Sequence, residues 1–81
     1  MKFGYWLKIT RTDLRMSQSD LATKTGIPQS YISRVENEKL APSHQFCKTI
    51  AEVFDMSDVD VLKIANKITH RQPDTTNEVV T

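Results

Sequence analysis

The feature that most constrains this chain is the stretch QSDLATKTGIPQSYISRVEN, residues 18–37, in which a single glycine divides two short amphipathic segments. Glycine is rare here: Gly26 is one of two in 81 residues. Placed directly after a helix-forming run, it marks a helix end, because it adopts the left-handed backbone at little steric cost. Upstream, Ser17 stands where an N-cap belongs, and Asp20 follows three residues later. That spacing is close to a capping box and puts an acid near the positive end of the helix dipole. A helix over residues 18–25 is therefore predicted, with Leu21 and Ala22 facing inward. After Ile27 and Pro28 a third helix is predicted from Gln29 to Asn37. Proline is tolerated at such a start, where its missing N–H breaks no helical bond. Ile32 and Val35, three apart, form the buried stripe of this helix, while Gln29, Ser30, Ser33, Arg34 and Asn37 lie on its other faces.

The flanking chain repeats the helical period. Phe3, Leu7, Leu14 and Met16, with Arg11 among them, predict a first helix over residues 3–15, with Trp6 and Ile9 on a neighbouring stripe. Residues 38–42 read as a loop. Ser43 is the expected cap of a fourth helix carrying Phe46, Ile50, Ala51, Val53 and Phe54. Ser57 is the expected cap of a fifth, with Val61, Leu62, Ile64, Ala65 and Ile68 as its apolar face. The expectation is an all-α, compact five-helix domain over residues 1–69, in which helices 2 and 3 form a helix-turn-helix. Residues 70–81, RQPDTTNEVVT preceded by His70, are polar and expected to be a disordered tail.

Composition narrows the function classes. One cysteine, Cys47, excludes an internal disulfide and gives no reason to invoke an oxidising compartment. No apolar run approaches the roughly 18 residues of a membrane span, and no export segment is read at the start, so a cytoplasmic location is expected. The net charge of +1 conceals a division: residues 1–48 hold eight basic and four acidic side chains, whereas residues 49–81 hold three and six. A front half at +4 suits contact with a polyanion. His44 and Cys47 are spaced like two metal ligands but have no second pair, and Asp55, Asp58 and Asp60 lack the glycine and glutamate of a calcium loop. There is no phosphate-binding glycine loop and no nucleophile–base pair. Neither an enzyme nor a cofactor or metal is expected.

Taken together, Gln18, the Leu21-Ala22 pair, Gly26-Ile27 and the run Tyr31-Ile32-Ser33-Arg34-Val35-Glu36 resemble the lambda-repressor/Cro-type helix-turn-helix, the XRE family, over about residues 3–65. The resemblance implies a sequence-specific transcriptional regulator of double-stranded DNA, most simply a repressor, whose third helix enters the major groove. It implies base contacts from Gln29, Ser30, Ser33 and Arg34. Glutamine suits bidentate contact with adenine and arginine with guanine. Expected backbone contacts are Gln18, at a helix N-terminus that favours anions, together with Tyr31, Asn37, Lys39 and Ser43. The resemblance also implies a partly buried ion pair between Arg11 and Glu36. One departure stands out: the family commonly has glycine where this chain has Glu38, so Asn37 is expected to take the left-handed cap instead.

One reading helix buries little surface, so a homodimer on a pseudo-palindromic operator is expected, its interface drawn from Leu62, Ala65 and Ile68 with Trp6 or Tyr5. Those same residues also suit packing of helix 5 onto helix 1. Two other readings share the sequence: a DNA-binding antitoxin that engages a protein partner through its C-terminal tail, and a protein-interaction module on the same fold. The polar, base-compatible surface of helix 3 favours DNA over the last.

Overall fold

The computed structural model describes residues 1–66. Five helices follow one another: α1 (Phe3–Asp13), α2 (Gln18–Thr25), α3 (Gln29–Glu36), α4 (His44–Val53) and α5 (Asp58–Ile64). No strand occurs among the described residues, and no helix there is long and apolar enough to cross a membrane. Each helix sends residues into one core. Leu7 comes from α1, Leu21 from α2, Ile32 and Val35 from α3, Phe46, Cys47 and Ile50 from α4, and Val61 from α5, all at most 2% exposed. Phe46 is met by two aromatic rings, Tyr31 at 5.0 Å and Phe3 at 6.4 Å between centroids, so α4 joins α1 to α3.

The second helix begins and ends as its residues dictate. The Ser17 hydroxyl accepts the Asp20 N–H, and the Asp20 carboxylate accepts the Ser17 N–H, each at 2.9 Å, completing a capping box. Gly26 takes φ 73° and donates its N–H to the Ala22 carbonyl at 2.8 Å. The Thr25 hydroxyl braces this turn, donating to the Leu21 carbonyl at 2.7 Å and accepting the Ile27 N–H at 3.1 Å. Ser43 likewise caps α4 by accepting the Phe46 N–H. Ser57 occupies the N-cap of α5 without a capping bond from its side chain, and Asp58 and Asp60 supply the acidic first turn instead.

The other helices end without glycine. Arg15, Glu38, Asp55 and Asn66 stand two residues past α1, α3, α4 and α5 at φ values of 55–60°. After α1 the Arg15 N–H bonds the Thr12 carbonyl and the Met16 N–H bonds that of Arg11, and α3 and α4 repeat this double closure. Three expectations are corrected here. The first helix stops at Asp13, leaving Leu14 47% exposed and Met16 in the loop. Asn37, at φ −91°, is an ordinary C-cap, and Glu38 takes the left-handed position. Leu62 is 3% exposed and packs within its own protomer, so it offers no free dimer surface. Trp6 is also used internally, its ring 5.3 Å from Phe3 and 6.0 Å from Phe54. Ala65 is half-buried against the core, while Ile68 and the polar segment from residue 70 lie outside the described residues.

Two measurements follow from the helix ends. The exposed Arg15 side chain makes no hydrogen bond or ion pair among the described residues that glycine would lose, whereas a non-glycine residue in this conformation costs about 1–2 kcal/mol. Glycine's extra chain entropy offsets about half of that. Arg15→Gly is therefore expected to stabilise the fold by about 0.5–1 kcal/mol, read as a higher urea midpoint at unchanged slope. The Asp20 carboxyl, exposed, is held below its usual 3.8 first by the Ser17 backbone N–H and then by the Ser17 hydroxyl. A depressed folded value gives stability that is present above 3.8 and lost as pH falls through the folded value. Asp20→Asn should flatten that acid limb in thermal unfolding followed from pH 5 to 2.

Candidate nucleic-acid interface

The third helix is two-sided. Ile32 and Val35 are 0% and 1% exposed and fix its inner face on the core. Gln29, Ser30 and Arg34 are exposed on the other side, and none of the three makes a side-chain hydrogen bond or ion pair among the described residues. A buried stripe three residues apart thus leaves an amide, a hydroxyl and a guanidinium aimed outward from one rigid element. Ser33 is half-buried, and Asn37 Nδ2 donates weakly to its hydroxyl at 3.4 Å. Lys39 is exposed just beyond the helix end.

Tyr31 is anchored rather than free. Its half-buried ring packs on Phe46, and its hydroxyl accepts the Ser43 N–H at 3.2 Å. The start of α4 is thereby tied to the first turn of α3, with the hydroxyl proton left to donate elsewhere. Ser43 donates its N–H to Tyr31 and accepts through Oγ as the cap of α4, which leaves its hydroxyl proton to donate elsewhere.

Behind the outer face lies a buried polar knot. Arg11 Nε donates to Glu36 Oε2 at 2.7 Å, and Nη2 to Oε1 at 3.0 Å, a bidentate pair whose side chains are only 8% and 2% exposed. The remaining nitrogen, Nη1, donates to the Met16 carbonyl at 2.8 Å. Glu36 Oε1 accepts a further bond, from Gln18 Nε2 at 3.0 Å. The Arg11–Glu36 pair therefore joins α1, the loop after it, α2 and the last turn of α3. Gln18 keeps its second amide hydrogen and its carbonyl for an outside partner, at a helix end that already carries the Asp20 carboxylate.

Three contacts here were not read from the sequence. The Gln18–Glu36 bond joins residues 18 apart, and Tyr31–Ser43 joins residues 12 apart, with no local pattern to announce either. The third does have a signal, a glycine inside the first turn of a helix. The N–H of Gly4 donates to Glu38 Oε2 at 2.7 Å. A β-carbon at Gly4 would also sit 2.5 Å from the carbonyl oxygens of Val35 and Glu36, so only glycine permits the approach.

The buried pair makes a clear prediction. Glu36→Ala leaves the Arg11 charge buried without its partner, at a cost of about 3–5 kcal/mol. An apolar double replacement, Arg11→Met with Glu36→Leu, should recover most of that loss in urea unfolding. A single variant within about 1 kcal/mol of wild type would mean that water reaches the pair.

Comparison with known proteins agrees with this geometry. A helix-turn-helix family model matches residues 7–62, well over half of the chain. No curated protein matches the chain, nor does any solved structure. The match runs from α1 into α5 and spans the capped helix, the glycine turn and the two-sided helix after it. With its lambda-repressor-like all-α fold, the chain belongs to the Cro/C1-type (XRE) helix-turn-helix family of DNA-binding regulators.

Proposed function

We propose that this protein is a sequence-specific transcriptional repressor that sets α3 in the major groove of a pseudo-palindromic operator as a homodimer. The observation that carries the reading is the unpartnered outer face of α3, held against the core by Ile32 and Val35. Gln29 reads adenine and Arg34 reads guanine, the two planar side chains suited to bidentate contact with base edges. Ser30 and Ser33, being short, let the helix approach closely. Gln18, Tyr31, Asn37, Lys39 and Ser43 hold the helix in register through the phosphates. For Gln18 the donor is the amide hydrogen that Glu36 leaves free, and for Tyr31 the hydroxyl proton that Ser43 leaves free.

Repression needs only occupancy of an operator that overlaps a promoter, whereas activation needs a further contact with polymerase. Dimerisation places two reading helices about 34–36 Å apart, in successive major grooves. Because Leu62 is committed to the core, the contact between protomers falls to what α5 leaves outside, Val59 at 44% exposure and part of Ala65.

The experiment is selection of bound sequences from a random duplex pool, followed by binding of the recovered site across a salt series. Recovery of a two-fold symmetric site is expected. Arg34→Ala should cost about 1–3 kcal/mol and relax preference at one base pair in each half-site. Recovery of no motif, with weak binding that salt abolishes, would sink the sequence-specific reading.

A further inference from the structure

Glu38 occupies an awkward place. It sits at φ 60°, a backbone conformation that glycine takes freely and glutamate does not. It also brings a negative charge between Asn37 and Lys39, both exposed at the end of α3. Its carboxylate is not loose: Oε2 accepts the Gly4 N–H at 2.7 Å across 34 residues of sequence. Gly4 is the second residue of α1, and the N-cap residue of that helix, Lys2, supplies no side-chain cap. Glu38 therefore caps α1 from outside, where a carboxylate is favoured by the free N–H groups and the helix dipole. The two helices abut at this point, since the Val35 and Glu36 carbonyls leave no room for a β-carbon at Gly4.

We propose that Glu38 is a positioning residue for DNA binding: its bond to Gly4 locks the loop after α3 onto the first turn of α1 and so fixes where Asn37 and Lys39 meet the phosphates. The proposal rests on α3 being the reading helix. Among the described residues, apart from the backbone bonds that close α3, the weak Asn37–Ser33 contact is the one other side-chain hydrogen bond at residues 37–39. The same bond has an electrostatic benefit. A carboxylate held at the positive end of α1 is turned from a charge that repels phosphate into one engaged within the protein.

The test uses the full chain, wild type and three variants, at a temperature where circular dichroism shows all four folded. The readouts are hydrogen exchange at the Gly4 amide, affinity for the selected operator, and the slope of affinity against salt. Glu38→Ala and Glu38→Gly both remove the acceptor, and Glu38→Gly also removes the backbone strain. Both should lose Gly4 protection and bind about five- to tenfold more weakly, with a salt slope shallower by about one phosphate contact. Glu38→Gln keeps an acceptor and sheds the charge, so it should bind as tightly as wild type or tighter. A role in stability alone would let Glu38→Gly bind like wild type, and that outcome overturns the proposal. Glu38→Gln falling as far as Glu38→Ala overturns it too. If wild type itself selects no operator, the reading of α3 fails and the positioning role falls with it. If wild type selects one and Glu38→Gly binds it equally, only the positioning role falls.

Discussion

The direction of α3's last turn depends on one buried carboxylate. Glu36 lies at the end of that helix, and burying its charge is tolerable only because Arg11 meets both oxygens in a fork. Two ions withdrawn from water gain little net stability over a well-packed apolar pair. What they gain is direction: a bidentate bond accepts one angle and one distance, where leucine against leucine accepts several. The bridge thus fixes the last turn of α3 relative to α1. Through the bonds to the Met16 carbonyl and from Gln18, it fixes the intervening loop and α2 as well.

A second constraint acts from the core side. The helices are short, from seven to eleven residues, and helices of that length are marginal in isolation. They persist because each packs along one buried stripe and three are also clamped at their starts. Ser17 and Asp20 close one start, Ser43 closes another, and Glu38 closes the start of α1 from a distant part of the chain. Four helices end with a non-glycine residue in the left-handed region. Such strain is offset where the next residue is drawn back toward the core, as Met16 and Met56 are.

Rigidity behind the outer face of α3 is what the proposed groove-binding role requires. Side chains that must meet base edges within a few tenths of an ångström cannot sit on an element that shifts. Here the inner face is held by Ile32 and Val35, the N-terminal turn by Tyr31 on Phe46 and Ser43, and the C-terminal turn by Glu36. The exposed residues Gln29, Ser30 and Arg34 make no side-chain hydrogen bond or ion pair among the described residues, which leaves them available for the recognition proposed above.

Much of this was legible in the order of residues, for a physical reason. Caps, the glycine turn and apolar spacing act over three or four residues, so Ser17, Asp20 and Gly26 by themselves determined where α2 begins and ends, and Ile32 and Val35 determined which side of α3 meets the core. Matters between distant segments were decided only in three dimensions. Leu62 fits a surface stripe as well as a core stripe on paper, and packing chose the core. Asn37 is the better left-handed residue by preference, yet Glu38 takes that position, where its carboxylate reaches Gly4. Local sequence counts the cost of a conformation, whereas the contact that offsets it comes from 34 residues away and exists only once the chain has folded.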